Sequence, residues 1–365
     1  MKLTTEYKLF EKYKLGDTEL KNRIVMAPLT RSRAIDNTPN QLMATYYSQR
    51  AGAGLIITEG TSPCRNGIGY PRIPGIYNNA QILGWRQVTD EVHKMGGKIF
   101  VQLMHCGRVA HPENVPAGGE VLAPSAVKLT ETKMYVDGKG ELEIPTAKAM
   151  EKHEIEYTIN EYRQAAKNAI EAGFDGVEIH AANGYLINQF INESSNIRDD
   201  EYGGTIENRT RFALEVVKEV IAEVGESKVG IRLSPYGVMN DMNILDDVME
   251  TYQYLVTQLN RLSIGYIHLV DHESMGAPKF SDKLKQHIRT IYNGTIILSG
   301  GYDKERGEKD LENNLGDLIA FGRPFISNPD LVGRFTENAK LTIPDSNTFY
   351  TPGQEGYIDY PYLKK

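Results

Sequence analysis

Eight short apolar segments recur along this chain, and a stretch of helical character follows each of them. Most of the segments are continuous rather than alternating and rich in Val, Ile and Leu, which is typical of strands buried on both faces. The segments are Ile24–Ala27, Leu55–Glu59, Ile99–Met104, Gly176–His180, Val229–Leu233, Tyr266–Val270, Thr295–Ser299 and Leu318–Phe321. Eight successive strand–helix units predict an α/β protein whose parallel strands close into a (β/α)₈ TIM barrel.

The clearest of the intervening helices follows Thr205. This residue is a suitable N-cap, and Glu207 in the first turn complements the helix dipole. The apolar residues recur at spacings of three and four, as one buried helix face requires: Phe212, Val216, Val217, Val220, Ile221 and Val224.

A doubly wound parallel sheet is the alternative to a barrel. That fold usually carries Gly-x-Gly-x-x-Gly directly after its first strand, where the glycines approach a dinucleotide. Here Pro28-Leu29-Thr30-Arg31 follows the first apolar segment, and the sequence contains no Walker A loop. The barrel is therefore favoured.

The length of the chain fits one barrel with additions. A barrel core needs about 250 residues, so roughly 115 of the 365 remain for loops and caps. We expect residues 1–365 to form a single domain. Residues 8–22 are expected to form a hairpin with a turn at Gly16-Asp17 that covers the bottom of the barrel, and residues 106–150 an excursion after the third strand that shapes the active site.

Charge and composition exclude several classes of partner. The net charge is −7 and there is no basic block, which argues against nucleic acid and anionic membranes. No apolar run approaches the ~20 residues of a membrane span, and the first residues lack the apolar centre of a secretory signal. The two cysteines, Cys64 and Cys106, are expected to be free thiols in a cytoplasmic protein. Both a monomer and a homodimer remain open.

Polar residues and glycines cluster where the predicted strands end. In a barrel these positions face one shared cavity. They are Thr30, Gly60, Gln102, His105, His180, Asn183, Tyr185, Arg232, Gly300, Gly301, Gly322 and Arg323. The set holds hydrogen-bond donors, cations and glycines, but no carboxylate pair, no Ser-His-Asp set and no compact metal cluster.

The last two strand ends carry a candidate phosphate site. Barrels often bind phosphate between the loops after strands seven and eight. Gly300-Gly301 would let backbone N–H groups approach an anion, and Arg323 would add a charged donor ahead of a short helix. The alternative is an ordinary turn, because Gly-Gly is common in turns.

Three donors lie within six residues after the fourth strand. His180 and Asn183 can both donate to one carbonyl or nitro oxygen, which would stabilise enolate-like charge as it forms. Tyr185 could supply a proton to the far carbon. The alternative is a structural histidine with satisfied hydrogen bonds.

Motifs in nearly the whole chain resemble those of the old yellow enzyme family, and they occur in family order. Near the start these are Ala27-Pro28-Leu29-Thr30-Arg31, Thr58-Glu59-Gly60-Thr61 and Val101-Gln102-Leu103-Met104-His105 with Gly107-Arg108. The middle holds His180-Ala181-Ala182-Asn183-Gly184-Tyr185-Leu186, Asp200-Glu201-Tyr202-Gly203-Gly204 and Arg232-Leu233-Ser234-Pro235. The end holds Phe321-Gly322-Arg323, Asn328-Pro329-Asp330-Leu331 and Gly356-Tyr357-Ile358-Asp359-Tyr360-Pro361.

The resemblance implies an NAD(P)H-dependent ene-reductase with non-covalently bound FMN. NADPH or NADH would reduce the flavin, which would then pass hydride to an activated alkene in a ping-pong cycle. The substrates implied are α,β-unsaturated carbonyl, nitro and quinone-type compounds. Thr30, where a second branch of the family has Cys, places the chain in the Thr branch.

Roles for individual residues also follow from the resemblance. Thr30 would bind near the flavin O4, Gln102 the pyrimidine edge, and Arg232 the N1–C2=O region. The ring would be lined by Ala27, Pro28 and Gly60, and the phosphate held by Gly300, Gly301, Gly322 and Arg323. The activating oxygen of the substrate would be bound by His180 and Asn183, and its α-carbon protonated by Tyr185.

The substrate side shows two individual features. Many relatives in the family carry Trp where this chain has Met104, so a substrate pocket of different shape is expected. Tyr350 matches a C-terminal tyrosine of the family that overhangs the site. The segment from His268 to Met275 is expected to line the substrate side. His268 and His272 are four residues apart, but solvent-lining or structural roles are favoured over metal binding because no third ligand is evident.

Two rival functions remain. A cofactor-free isomerase or aldolase on the same barrel would need a catalytic Lys or Glu at a strand end. Glu59 and Glu178 are the candidates, and Glu178 is expected to alternate away from the neighbours of His180 in a regular strand. The other rival is a flavin-binding stress-response protein without specific turnover.

Overall fold

Eight parallel strands form a closed barrel in the computed structural model, which describes residues 7–364. Around the barrel they are β3 (Ile24–Met26), β4 (Leu55–Thr61), β5 (Ile99–Leu103), β10 (Gly176–Ala181), β11 (Val229–Leu233), β12 (Tyr266–Val270), β13 (Thr295–Ser299) and β14 (Leu318–Phe321). Every residue of these strands is buried, because helices cover the outside and side chains fill the inside. The predicted TIM barrel is confirmed, and each of the eight apolar segments is one of its strands.

Helices follow the strands and pack around the barrel. They are α1 (Gln41–Gln49), α2 (Asn79–Lys94), α3 (Lys152–Glu171), α4 (Leu186–Ile191), α5 (Ile206–Val224), α6 (Val248–Arg261), α7 (Asp282–Ile291), α8 (Lys304–Glu312), α9 (Arg323–Ser327) and α10 (Leu331–Thr336). Thr205 caps α5 as predicted, because its hydroxyl accepts the N–H of Asn208. The predicted apolar stripe of α5 packs in the main core, with Ile221 and Val224 only partly buried.

A hairpin closes the N-terminal end of the barrel. Its strands are β1 (Tyr13–Leu15) and β2 (Thr18–Leu20), so it is shorter than the predicted span, whose first part forms a 3₁₀ helix at Lys8–Phe10. Leu15 and Leu20 pack on residues of the barrel strands in a separate apolar cluster. The hydroxyl of Tyr13 lies 2.8 Å from that of Thr295, the first residue of β13, which places the cap at the bottom.

The excursion after β5 forms small sheets at the opposite end. It contains β6 (Leu122–Ala123) paired with β9 (Lys148–Ala149), and an antiparallel hairpin of β7 (Lys133–Val136) and β8 (Gly140–Glu143). Asp137, in the turn of that hairpin, forms an ion pair with Arg72. The excursion thus stands at the C-terminal ends of the barrel strands, where the active site was expected.

The register of neighbouring strands sets the chemistry inside the barrel. Gln102 is opposite Glu178, and His180 is opposite Arg232, which is in turn opposite His268. Charged and polar residues of four strands therefore share two adjacent levels of the barrel interior. No helix within residues 7–364 is long and apolar enough to cross a membrane.

Candidate active site

A cavity of about 390 Å³ lies at the C-terminal ends of the barrel strands. Its walls come from segments that follow β3, β12, β13 and β14, together with residues of β11 and the loop after β10. Most of the predicted cofactor residues line it: Ala27, Pro28, Thr30, Arg232, Gly300, Gly301, Gly322 and Arg323. Residues distant in sequence thus meet at one site because parallel strands all end at the same face.

A second cavity of about 840 Å³ adjoins the first. Thr30, Met239 and Tyr350 line both cavities, so they mark the boundary. The remaining walls include Tyr185, Tyr70 and the β7–β8 hairpin. A ligand at the boundary would contact residues of both chambers.

His180 is a neutral donor in the barrel interior. Its Nδ1 accepts the backbone N–H of Ala182 at 3.3 Å, so the proton of the neutral ring resides on Nε2. Burial, followed by the positive charge of Arg232, holds the pKa of His180 well below its ordinary value. The ring meets that of Tyr185 edge to face, with centroids 5.0 Å apart.

Asn183 occupies a left-handed turn at the mouth of β10, with φ of 61°. Two contacts hold its backbone: its N–H donates to the Ser234 hydroxyl at 2.9 Å, and its carbonyl accepts from the Asn240 amide at 2.7 Å. The side chain lines the smaller cavity, and its buried Oδ1 has no partner among the described residues. The turn therefore presents an uncommitted amide to a ligand.

Tyr185 lies at the base of the larger cavity, 9% exposed. Its hydroxyl donates to that of Tyr70 at 3.1 Å. Burial raises the pKa of both phenols, so Tyr185 keeps its proton at neutral pH and can give it up only to a strongly basic carbon. The sequence analysis did not single out Tyr70, because it belongs to a loop with no strand-end signal.

Arg232 brings a permanent positive charge to the floor of the smaller cavity. The residue is 8% exposed, and its Nε has no hydrogen-bond partner among residues 7–364. Burial lowers the pKa of its guanidinium, while the carboxylate of Glu178 acts in the opposite direction. A buried cation with an unpaired N–H is expected where an electron-rich ligand binds.

Comparisons with known proteins agree with this geometry. Residues 8–342 match the family described as NADH:flavin oxidoreductase / NADH oxidase. A probable flavin mononucleotide-dependent alkene reductase of Leishmania infantum is 42% identical over 354 residues, covering 96% of each chain. The chain is also 43% identical to the putative 12-oxophytodienoate reductase 3 of Oryza sativa subsp. japonica, over 98% of this chain and 93% of that protein.

Solved structures show the same architecture. Morphinone reductase superposes with a TM-score of 0.95 at 42% identity, over 98% of this chain and 96% of that one. The old yellow enzyme homologue from Zymomonas mobilis gives 0.92 at 40% identity, over 98% and 100%. This chain belongs to the old yellow enzyme family. It is accordingly an FMN-dependent oxidoreductase that uses a nicotinamide reductant.

The predicted phosphate-binding corner contains two glycines with positive φ. Gly300 and Gly301 have φ of 109° and 64°, which side-chain-bearing residues rarely adopt. A Cβ on Gly300 would also collide with the backbone of Asp271. The carboxylate of Asp271 is paired with Arg306 at 3.1 Å, so it does not leave unpaired negative charge beside the glycines. The corner therefore offers open backbone and the exposed cation Arg323.

Gln102, Gly60 and Met104 lie on the β4–β5 side of the barrel. Gly60 and Gln102 are opposite each other in register. A Cβ on Gly60 would collide with the thioether of Met104, so the glycine makes room for this side chain. Met104 is 1% exposed and packs in an apolar cluster with Tyr185. Met104 thus packs near the predicted proton donor but lines neither cavity, and its effect on the pocket stays a prediction.

Tyr350 is held over both cavities by buried arginines. Arg72 donates to its carbonyl at 2.9 Å. Arg33 donates to the carbonyls of Thr348 and Phe349 at 2.8 and 2.6 Å, and Arg31 to that of Phe349 at 3.1 Å. The ring itself is 61% exposed, as an overhanging residue would be.

The segment after β12 borders the smaller cavity. Asp271, His272, Ser274 and Met275 line the smaller cavity, beside Gly300 and Gly301, rather than the larger chamber of Tyr185. The loop curls back towards β13 because the backbone N–H of Asp271 bonds to the Ser299 carbonyl. The segment therefore shares a cavity with Asn183, a predicted substrate residue, and its place on the substrate side stays a prediction.

The two glutamates of the isomerase hypothesis are engaged elsewhere. Glu59 is buried, accepts the backbone N–H of Arg31 and the Tyr47 hydroxyl at 3.2 Å each, and has its pKa raised by burial to about 7. Glu178, two residues before His180, points into the barrel interior and accepts bonds from Gln102, Tyr266 and His268. Neither carboxylate lines a described cavity. His268 is bound on both ring nitrogens, by Glu178 and Ser299.

The residues present fit FMN. The smaller cavity combines an unpaired buried guanidinium N–H, an uncommitted asparagine amide and a threonine hydroxyl with no bond among the described residues. A flat heteroaromatic ring with carbonyl and nitrogen acceptors matches this donor set. At the other end, the open glycine backbone and Arg323 match a phosphate.

Proposed function

We propose that this protein reduces the C=C bond of α,β-unsaturated carbonyl, nitro and quinone-type substrates with NADPH or NADH, by a ping-pong mechanism. FMN, when bound, supplies the hydride chemistry, accepting hydride from the nicotinamide and delivering it to the β-carbon. The relatives support this reaction, since one is named as a probable alkene reductase and others as 12-oxophytodienoate reductases. The chain supplies the binding groups and one proton.

The proposed cofactor site has one set of residues for the flavin ring and another for the phosphate. Thr30 donates near O4, Gln102 binds the pyrimidine edge and Arg232 faces the N1–C2=O region. Backbone at Ala27, Pro28 and Gly60 lines the ring, while Gly300, Gly301, Gly322 and Arg323 hold the phosphate. Support comes from the cavity that most of these residues share. A fixed cation beside N1 favours the negative charge that a reduced ring carries there.

The substrate site is proposed at the boundary of the two cavities. His180 donates through Nε2 and Asn183 through its amide to the activating oxygen of the substrate, and Tyr185 protonates its α-carbon. Tyr350 overhangs this site, and Met104, which packs in one apolar cluster with Tyr185, is proposed to shape it. The two donors act on charge that develops during the reaction, so they lower the barrier more than they tighten substrate binding.

One observation carries the proposal: a neutral histidine and a protonated tyrosine meet edge to face beside the cofactor cavity. The group that donates a hydrogen bond to the oxyanion must carry its N–H while its ring stays neutral. A general acid must still carry its proton at neutral pH. Burial gives both residues the required state. A flavin-binding protein without turnover would have no need of this pairing.

Steady-state and half-reaction kinetics test the proposal. We expect the FMN-loaded protein to oxidise NADPH or NADH in the presence of 2-cyclohexenone, a maleimide or a quinone, with the enone consumed mole for mole. A yellow protein that oxidises the nicotinamide with none of these acceptors would favour the flavin-binding alternative. A protein that binds no FMN would favour the cofactor-free barrel.

We further propose that residues 1–365 form one domain, acting as a monomer or homodimer in the cytoplasm without nucleic-acid or membrane partners. The net charge of −7 and the two free, buried cysteines support this placement. Sedimentation of the FMN-bound protein distinguishes monomer from dimer.

A further inference from the structure

The proposed reaction makes no use of Glu178, although this carboxylate is fully buried inside the barrel. It accepts three hydrogen bonds: from the amide nitrogen of Gln102 at 2.8 Å, the hydroxyl of Tyr266 at 3.0 Å and Nδ1 of His268 at 2.8 Å. A buried charge is costly unless its partners are arranged for it. Three donors from two other strands, β5 and β12, are such an arrangement.

The barrel interior is shaped around this carboxylate. Gly230 is opposite both Glu178 and Tyr266 in the strand register. A Cβ on Gly230 would collide with the ring of Tyr266, so the glycine leaves the ring the space to cross to Glu178. His268 is fixed from its far side by Ser299, 2.9 Å from Nε2.

Glu178 is an anion. Burial raises the pKa of its carboxyl, but the neighbouring His268 and Arg232 and the bond from Gln102 together outweigh burial and leave the pKa below its ordinary value. The hydrogen-bond pattern agrees, because all three partners can donate to a carboxylate. One full negative charge therefore lies in the low-dielectric interior next to the guanidinium of Arg232, on the neighbouring strand.

The hydrogen bond to Glu178 determines which atoms of the Gln102 side-chain amide remain available to a ligand. Only the amide nitrogen can donate to a carboxylate, so this nitrogen must face Glu178. The amide oxygen and the second N–H are then left for a ligand. A flipped amide would set its oxygen against the carboxylate and present a different edge to the flavin.

We propose that Glu178 is a positioning residue for the flavin: it fixes the amide of Gln102 and lowers the reduction potential of FMN by opposing the charge of Arg232. This inference rests on the proposed placement of Gln102 and Arg232 at the pyrimidine edge. Groups behind the direct ligands of a cofactor commonly orient those ligands and tune their electrostatics. A nearby anion disfavours the uptake of electrons, so its removal makes the potential more positive.

The test measures the midpoint potential of the FMN-bound enzyme by spectroelectrochemistry in wild type, Glu178→Gln and Tyr266→Phe. Glu178→Gln removes the charge at nearly constant volume. In this variant we expect the affinity for reduced FMN, relative to that for oxidised FMN, to rise at least tenfold. For this two-electron couple the change corresponds to a positive shift of about 30 mV in the midpoint potential. Tyr266→Phe keeps the charge but removes one compensating hydroxyl, so we expect a smaller, negative shift.

Opposite signs separate this role from simple disruption of the core. The proposal is overturned if the midpoint potential of Glu178→Gln equals that of wild type or is more negative. It is also overturned if the midpoint potential of Tyr266→Phe equals that of wild type or is more positive. If Glu178→Gln does not fold with FMN, the sign in Tyr266→Phe decides alone. Failure of the proposed function is visible separately, as a wild-type protein that binds no FMN or reduces no alkene.

Discussion

Tyr185, the proposed proton donor, lies in an environment that suits this role. Burial raises the pKa of Tyr185, and its hydroxyl touches only Tyr70 among the described residues. Tyr185→Phe keeps the ring packed on His180 but removes the transferable proton. We expect kcat for an enone that needs α-protonation to fall by about 10²- to 10⁴-fold, the usual contribution of a general acid.

Stopped-flow half-reactions check this prediction. Reduction of the flavin by NADPH or NADH should be unchanged in Tyr185→Phe, and only reoxidation by the enone should slow. Tyr70→Phe is the matched control, since it removes a neighbouring hydroxyl and leaves Tyr185 in place. Equal losses in both variants, or slower reduction by the nicotinamide, would argue against Tyr185 as the acid.

His105 makes a separate prediction about pH. It is buried, its Nδ1 accepts the N–H of Gly107 at 3.0 Å, its Nε2 has no partner among the described residues, and burial lowers its pKa to about 3. Below pH 6.5 the unfolded chain takes up a proton here that the native protein does not. Stability is therefore fully present above pH 6.5 and is lost as pH falls towards 3.

His105→Asn keeps an acceptor for Gly107 but cannot titrate. Between pH 6 and pH 4 we expect the free energy of unfolding of wild type to fall more steeply than that of the variant, by about 1.4 kcal/mol per pH unit. Urea unfolding at several pH values measures both slopes. Parallel slopes would mean that His105 is charged in the native protein.

The proximity of site residues could be predicted from the sequence where those residues are close together in the chain. His180, Asn183 and Tyr185 belong to one strand end, so their proximity follows from sequence alone. Tyr70 is 115 residues from Tyr185, and its contact depends on how two loops pack. The direction of Glu178 likewise depends on donors from two other strands, β5 and β12, which no local pattern displays.

The C-terminal segment is the element that joins the two cavities. Arg33 is 2% exposed and donates to main-chain carbonyls at Thr348, Phe349, Gly353 and Glu355. The planar guanidinium reaches these carbonyls together, which the ammonium group of lysine cannot. The position of Tyr350 over the site therefore depends on Arg33.

Arg33→Lys should loosen this segment. We expect KM for alkenes to rise about tenfold and the free energy of unfolding to fall by about 2 kcal/mol, the cost of losing bonds from one charged donor. Affinity for FMN should change little. Arg65→Lys, on an exposed turn, is the control, and proteolysis near residue 350 should accelerate only in the first variant. An unchanged KM for alkenes would show that the C-terminal segment does not contribute to substrate binding.

Strands were easier to predict than the excursion. The barrel strands are continuous apolar runs, and four of them, β11 to β14, have the predicted bounds. The β7–β8 hairpin is largely exposed and carries charges on both strands, so it lacks such a run. Its place over the larger cavity is set by the ion pair between Asp137 and Arg72, a contact between distant loops.

In the assembled barrel, the proposed phosphate site and the proposed flavin-ring site share one cavity. Arg323 is exposed beside the open glycine backbone. We expect Arg323→Gln to weaken FMN roughly tenfold, because one charge-assisted contact is lost, and to leave riboflavin affinity unchanged. Fluorescence titration of the flavin-free protein with each ligand measures the difference. Equal weakening of both flavins would place Arg323 away from the phosphate.

We propose that His180 and Asn183 bind an oxygen anion directly over FMN. Titration of the yellow protein with a simple phenol tests it most directly, because a bound phenolate stacked on the flavin produces a broad long-wavelength charge-transfer band. We predict this band in wild type and at least a tenfold weaker phenol affinity in His180→Gln and Asn183→Ala, with FMN retained. A yellow wild-type protein that binds phenol without the band, or two variants that titrate like wild type, would contradict the account.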